Sequence, residues 1–461
     1  MREIRMADKK ILFIAYLYPP AGGKGLPGVQ RTVKFVRHLS CPKKYVLTLR
    51  DDLYPDFFST DNRLPLPVNG EVIVRTGVTD IFRVFLKIRE GLRRLTGGKS
   101  SVQAYPHTRG HLKAEPSDSA KKSIPGRLKD IISEILTFPD YAYNWIVPTL
   151  YQGQRLIRQN NIDVIFATGM PWTSMVIGWL LKRLTGAKLI SDFRDPWVNN
   201  PFATDKSALR KSVETYIEQK IVTAADIVSL NTEELRKDFV SRYPDLPEDK
   251  FVTLVNGYDA NDFKGVELGE SQTEKGKLLL SHAGFLYGLR DPKPIFEAIG
   301  KLREKHAEIA GKIRLRQMGY TRLNYDLSRF LTENSLNMNY EDTGPLPFTR
   351  CLQNMAGSDI LVIIQQDTKT QIPSKIYEYI YLNKPILTIA SKEGALGKMI
   401  KTYQFGVIFE PDDIGGLADY LFQKASDKEK YDRLEAKYEH GYQFDVENIT
   451  KQLEQIINKI C

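Results

Sequence analysis

Short apolar runs alternate along this chain with amphipathic or polar stretches, a rhythm that predicts parallel strands joined by helices. Lys10–Ala15 reads as a buried strand, followed by the turn-rich Tyr18–Gly28. A helix is expected from Val29 to Leu39, with Val33, Phe35 and Val36 on its apolar side. Tyr45–Leu49 and Val72–Val74 read as further strands. From Asp163 the alternation is plain: strand Val164–Ala167, helix Ser174–Leu184, strand Lys188–Ser191, helix Leu209–Ala224, then strands Ile227–Leu230 and Phe251–Val255. The polar stretch Asn261–Lys277 reads as an interdomain linker. The alternation restarts with strand Leu278–His282, helix Pro294–His306 and strands Arg314–Met318, Ile360–Ile364, Pro385–Ile389 and Val407–Phe409. A last helix, Val446–Ile460, follows a break at Gly441. Two successive β/α series predict an α/β fold of two doubly wound domains with a cleft between them.

The length of 461 residues fits two domains. No window approaches the roughly 18 continuous apolar residues of a membrane span. The first ten residues lead into a strand rather than the apolar core of a signal peptide, so a cytoplasmic protein is expected. Cys41, Cys351 and Cys461 are too far apart in sequence for a disulfide framework or zinc knuckle. The net charge of +10 is concentrated: Ile81–Lys129 holds twelve basic and three acidic residues. The near-neutral remainder argues against a nucleic-acid partner. Within the basic segment, Ile81–Leu95 has amphipathic helical spacing, with Arg83, Lys87, Arg89, Arg93 and Arg94 between its apolar positions. It suits either a solvated surface helix or, the reading preferred here, an anionic membrane surface. Thr96–Pro125 lacks periodicity and is expected to be mobile.

Four places carry candidate chemistry. Gly22-Gly23, after the first strand, admits a close phosphate or forms an ordinary βα loop; no Walker A pattern is present. Asp192, Arg194 and Asp195 lie just past a strand end, where open α/β sheets bind ligands, though two acids flanking an arginine also make a self-contained ion pair. Gly284 and Gly288 with Arg290 make a second strand-end loop in which a guanidinium could grip a diphosphate, or simply be solvated. The most informative stretch is Gln371-Ile-Pro-Ser-Lys-Ile-Tyr-Glu-Tyr-Ile380. A helix opening on Pro373 would offer free N–H groups to an anion. Lys375 would add a mobile cation, with Glu378 on the same helical face. A cation beside a carboxylate at a helix mouth can hold a phosphate and a sugar diol together. His107 and His111 are the histidines at i, i+4 spacing, without a nearby acidic ligand, and no metal site is expected.

Taken in order, these segments resemble the bacterial GT-B glycosyltransferases of family 4. The matching segments are Tyr18-Pro-Pro with Gly22-Gly23 and Arg31, Asp192-Phe-Arg-Asp-Pro-Trp197, Asn256-Gly-Tyr-Asp259, Gly284–Arg290, Ile372–Glu378 and Lys384-Pro-Ile-Leu387. The resemblance implies two Rossmann-like domains facing across a cleft, and sugar transfer from a nucleotide donor with retention and no essential metal or cofactor. It implies an N-terminal acceptor domain over 1–262, a donor domain over 263–440 and a C-terminal helix over 441–461 packing back on the first. It also implies that Gly22 and Gly23 face the donor diphosphate, and that Gly284, Arg290, Ser374 and Lys375 bind the phosphates or the transferred sugar. Glu378 would bind the ribose as the second glutamate of an EX7E motif, and Gly344–Pro347 would border the nucleobase. Asp195, Arg290 and Lys375 are the implied catalytic residues. Partners would be a nucleotide-sugar, a saccharide or lipid-linked acceptor of cell-surface polysaccharide synthesis, and a membrane surface. The chain departs from the family at three places. Arg194 stands where a histidine is frequent, Thr370 near the first EX7E glutamate, and Phe285 in place of an arginine. A sugar-nucleotide epimerase of the same fold and a non-catalytic nucleotide-binding scaffold are the alternatives.

Overall fold

The computed structural model describes residues 9–21, 27–54, 66–79, 138–201, 206–266, 276–427 and 438–461. Gly22, Gly23 and the basic run 81–129, with the membrane contact expected of it, lie outside these residues. The chain forms two units, Met1–Val228 with Ile457–Cys461, and Ser229–Ile456.

The first sheet is built from β1 (Lys10–Ile14), β2 (Lys43–Leu49), β3 (Val72–Thr76), β4 (Val164–Gly169), β5 (Lys188–Phe193), β6 (Ile227–Leu230) and β7 (Phe251–Thr253). Their order is β3-β2-β1-β4-β5-β6-β7. Central β1 pairs in parallel with both neighbours, Ile11 lying opposite Lys44 and Val164. The helices of this region are α1 (Pro27–His38), α2 (Ile146–Asn160), α3 (Thr173–Thr185), α4 (Ala208–Ala224) and α5 (Glu233–Arg242). The β1–α1–β2 step runs one way along the sheet, and the steps through α2, α3 and α4 run the other. Right-handed crossovers therefore place α2, α3 and α4 together on the face opposite α1.

The second sheet takes β8 (Leu278–Ala283), β10 (Ile313–Met318), β12 (Tyr340–Asp342), β13 (Ile360–Gln365), β14 (Ile386–Ala390) and β15 (Val407–Phe409) in the order β12-β10-β8-β13-β14-β15. A small parallel pair joins β9 (Leu286–Tyr287) to β11 (Thr321–Arg322). The accompanying helices are α6 (Lys293–Lys305), α7 (Leu327–Glu333), α8 (Phe348–Ala356), α9 (Lys375–Tyr381), α10 (Ala395–Tyr403), α11 (Ile414–Ser426) and α12 (Val446–Ile460). Because side chains alternate across a strand, β13 serves two cores. Val362 and Ile364 pack with Phe296 and Ile299 of α6 and Leu421 of α11, whereas Leu361 and Ile363 pack with Leu352 of α8, Ile376 of α9 and Ile400 of α10. A strand covered on both faces must be apolar throughout, which is why these segments read as unbroken runs.

One buried ion pair fixes the exit from β5. Arg31 of α1 reaches Asp192 with two bonds, Nε to Oδ2 at 3.0 Å and Nη2 to Oδ1 at 2.8 Å. The Thr168 hydroxyl of β4 donates to the same carboxylate at 2.8 Å. Both charged side chains are essentially inaccessible to solvent. Asp192 is thus tied to an arginine distant in sequence, and not only to its own loop. Removing one partner leaves an uncompensated charge, so Arg31→Met should cost about 3–5 kcal/mol. The double variant Arg31→Met/Asp192→Leu should recover much of that loss. Urea unfolding of the three proteins checks this; a loss below about 1 kcal/mol for the single variant would overturn the account.

Candidate functional site

In the second sheet β8 and β13 are neighbours, but the chain leaves them in opposite directions: β8 leads to β10 and β13 to β14. Such a reversal opens a crevice beyond the carboxyl ends of the two strands, the place where open α/β sheets bind ligands. The loop after β8 carries Gly284 and Arg290, and the loop after β13 leads to Ser374, Lys375 and Glu378. The topology therefore brings five of the expected donor-site residues to the two loops bordering one crevice.

Polar side chains at the strand ends hold these loops. Gln317, the penultimate residue of β10, donates from Nε2 to the Gly284 carbonyl at 2.8 Å. Its Oε1 lies 2.8 Å from Nδ1 of His282 and is left as the acceptor, so the imidazole carries its proton on Nδ1. Gln365, the last residue of β13, accepts from Nε of Arg290 at 3.0 Å and donates to the Thr368 hydroxyl at 2.9 Å. Both glutamines are buried, and each spends both ends of its amide on a loop. The approach of the loops is close enough to require glycine. A Cβ on Gly319 would fall 2.0 Å from the Gly284 carbonyl oxygen, and both residues have φ near +150° (+153° and +145°).

Arg290 is half-buried, with its guanidinium 5.3 Å from the Tyr287 ring. Its bond to Gln365 leaves the two terminal nitrogens without a partner among the described residues. Lys375 is not the mobile cation expected from the sequence. Its Nζ is fixed 2.8 Å from Glu378 Oε2 and lies 5.5 Å from the centre of the Phe348 ring, next to the Gly344–Pro347 segment. Burial works against the ammonium, but the Glu378 carboxylate outweighs it and holds the amine above its ordinary range. The helix bearing them also starts later than expected, at Lys375 with Ser374 as N-cap; Pro373 precedes the cap. At seven residues α9 has a weak macrodipole, so side-chain cations supply most of the attraction for an anion. Ser374 makes no capping bond with its own hydroxyl.

Asp195 belongs to the first unit, half-buried in the loop after β5. Its neighbour Arg194 donates to the carbonyls of Gly169 and Met170. Trp197 of the same loop stacks on Trp172, with centroids 5.2 Å apart and planes 4° from parallel. Phe285, at the position where the resemblance implies an arginine, is exposed beside Tyr287 and Tyr320. Among the described residues no group of three or more His, Cys, Asp or Glu side chains could hold a metal ion. Sequence reading did not find His282, Gln317 or Gln365. Their one signal is position, since each is a polar residue in the last two positions of a strand.

Comparison with solved structures gives the fold a name. The chain matches Anabaena HepE in complex with UDP at 14% identity and TM-score 0.59, covering 98% of this chain and 100% of that one. It matches sucrose-phosphate synthase from Thermosynechococcus elongatus at 13% identity and TM-score 0.60, covering 98% and 99%. The lipopolysaccharide outer core galactosyltransferase WaaB matches at 12% identity and TM-score 0.55, covering 98% and 100%. The chain therefore has the GT-B fold of two Rossmann-like parallel sheets. No family model matches it, and no curated protein sequence does.

His282 gives the site a measurable signature. Burial depresses its pKa from 6.5 to about 4 against the hydrogen bond to Gln317, and the Arg290 and Lys375 cations push it further down. A base whose folded pKa lies below its unfolded value binds its proton more readily when unfolded. Its contribution is intact above pH 6.5 and is lost as the pH falls towards about 4. The loss should reach about 3 kcal/mol. Denaturant unfolding at pH 7 and pH 4.5 should show a smaller acid loss for His282→Gln than for the parent. Equal losses would remove His282 as the source.

Proposed function

We propose that the chain is a retaining glycosyltransferase that takes a sugar from a nucleotide donor held at the β8/β13 crevice. The observation that carries this reading is the pairing, at one crevice, of a glycine-bounded loop and open guanidinium with a lysine–carboxylate pair. Arg290 would grip the diphosphate through its terminal nitrogens. Lys375 would balance charge on the departing phosphates, and Glu378 would accept bonds from the ribose hydroxyls. Departure of a nucleoside diphosphate from an oxocarbenium-like centre builds negative charge where these cations already stand, without a reorganisation cost. Ser374 is proposed as a further phosphate contact, and Gly22 and Gly23 as donor contacts from the first βα loop.

Retention can run on one face, the leaving phosphate taking the proton of the acceptor hydroxyl, a route that needs neither a protein nucleophile nor an essential metal. Asp195 is proposed as the catalytic carboxylate of the first unit. The fold neighbours support donor binding: HepE was crystallised with UDP-glucose, and WaaB is a lipopolysaccharide outer core galactosyltransferase. A hexosyl or N-acetylhexosaminyl transfer to a saccharide or lipid-linked acceptor, in cell-surface polysaccharide synthesis, is the proposed context. The proposed location is cytoplasmic and peripheral to the membrane through 81–129. No helix among the described residues is long and apolar enough to cross a membrane.

A second reading, a nucleotide-binding scaffold without transferase activity, draws on Thr370. No carboxylate stands there, and its carbonyl accepts from the Thr232 hydroxyl at 2.6 Å. Thermal-shift titration with UDP-, GDP-, ADP- and dTDP-sugars should find one donor that raises the melting temperature. Glu378→Ala should weaken that donor by about 1.5–3 kcal/mol, the range of charged hydrogen bonds. Unchanged affinity would remove Glu378 from the site. Tight donor binding with no transfer to any supplied acceptor would favour the scaffold.

A further inference from the structure

Helices α2, α3 and α4 form one outer layer of the first unit, with α3 packed against both neighbours. The charge pattern of this layer is one-sided. No Asp or Glu occurs in α2 or α3, and the two in α4, Glu214 and Glu218, are buried. Glu214 turns inward to Lys206 and Arg210, and Glu218 accepts from the backbone N–H of Val198. The solvent side of all three helices therefore carries no carboxylate. Exposed there are the cations Arg155, Arg158, Arg183, Lys211 and Lys220.

Large apolar side chains lie among these cations instead of beneath them. Val147 and Tyr151 of α2 are one turn apart and exposed, Tyr151 at 70%. Leu209, Val213 and Tyr216 of α4, at i, i+4 and i+7, form an exposed stripe. The Lys220 ammonium sits 5.0 Å from the Tyr216 ring. A solvated helix normally shows its carboxylates to water and buries its apolar residues. In α4 the glutamates face in, and a leucine, a valine and a tyrosine face out.

We infer that the α2–α3–α4 face rests on an anionic lipid surface, with Val147, Tyr151, Leu209, Val213 and Tyr216 entering the interface and the arginines and lysines meeting the headgroups. Lipid fits better than a protein partner because the exclusion of carboxylates extends over three successive helices. A protein contact needs complementary charge only at particular positions, whereas a charged bilayer repels an exposed carboxylate wherever it stands. A second copy of the same face is disfavoured by its own positive charge. Juxtaposed apolar side chains and cations are what an interfacial surface uses, the former for burial and the latter for attraction. The inference stands apart from the donor site and from the basic run 81–129.

The test is flotation of the full chain with vesicles of phosphatidylcholine alone and with about 30 mol % phosphatidylglycerol added. The protein should float with the anionic vesicles and not with the neutral ones. Leu209→Ser/Val213→Ser/Tyr216→Ser should lower the partition coefficient about tenfold or more, since all three side chains are exposed and their loss leaves the core intact. Arg155→Glu/Arg158→Glu/Lys211→Glu/Lys220→Glu should lower the coefficient at least as far. Circular dichroism and the donor-induced thermal shift should be unchanged in both variants, which separates this inference from the transferase reading. It is overturned if the parent does not float, if it floats equally with neutral vesicles, or if neither face variant reduces flotation. It is overturned as well if flotation is lost only on neutralising Arg83, Lys87, Arg89, Arg93 and Arg94. Conversion of an oligomer to a monomer by the triple variant, with flotation intact, would assign the face to a second copy.

Discussion

The middle of the second sheet is covered on both faces, and its chemistry follows from that constraint. Leu361 and Ile363 belong to one core and Val362 and Ile364 to the other, so β13 cannot present a polar side chain until its last residue, Gln365. β10 alternates instead, with half-buried Arg314 and Arg316 between the buried Ile313, Leu315 and Gln317. Polar function is pushed to the carboxyl ends of the strands, and the reversal of direction between β8 and β13 leaves room there. The two glutamines turn this position into geometry. A buried amide left half-satisfied costs the desolvation of its unpaired end, so each is stable only with both ends bonded. Gln317 is satisfied by placing Gly284, and Gln365 by placing Arg290. The loops are held by the requirement that the sheet ends be hydrogen-bonded.

Much of the scaffold was legible in the sequence because a strand buried on both faces leaves an unambiguous mark. Ile227–Leu230, Val407–Phe409 and the helix Val446–Ile460 agree with the sequence residue for residue. Helices with weak periodicity were not legible. α5 buries only Leu235 and Phe239 within a charged sequence. α11 begins Ile414-Gly-Gly, which reads as a break, yet the Asp413 carboxylate caps the Gly416 N–H and starts the helix there. At the candidate site the pattern is similar. Gly284, Arg290, Lys375 and Glu378 stand out as residue types that bind phosphates and sugars. A glutamine at the end of a strand has no such signature, because its role depends on which loop lies across from it. Nor does the charge of α4 announce its direction, since the inward turn of Glu214 and Glu218 depends on where Arg210, Lys206 and the Val198 backbone stand.

The Lys375–Glu378 pair bears on how the site would treat a donor. Both side chains are mostly shielded from water and bonded to each other at 2.8 Å. Two shielded charges compensate one another, and the cost of removing either from solvent is recovered only while the partner stays close. A neutral ligand that drew Glu378 away would leave a buried ammonium uncompensated. A ligand with a hydroxyl pair and a phosphate avoids this, offering donors to the carboxylate and negative charge to the ammonium at the same time. In the proposed reading the pair therefore favours one molecule carrying both groups over either group alone. A nucleotide has that form, and a free sugar or inorganic phosphate does not.

The same electrostatics extend to His282, whose neutrality the nearby Arg290 and Lys375 help maintain. Two cations around a neutral imidazole leave the crevice with one lysine balanced by Glu378 and one arginine whose terminal nitrogens are open. The uncompensated charge of this group is then carried by Arg290, whose guanidinium is aimed by a single bond from Nε to Gln365. That bond is to the nitrogen that a bidentate grip through the two terminal nitrogens does not use. Gln365 can orient the guanidinium without competing for the ligand, which a carboxylate in its place would do by neutralising the charge. An amide at the end of β13 therefore suits the proposed anion site: it satisfies a buried strand end and leaves the terminal nitrogens of the adjacent guanidinium open.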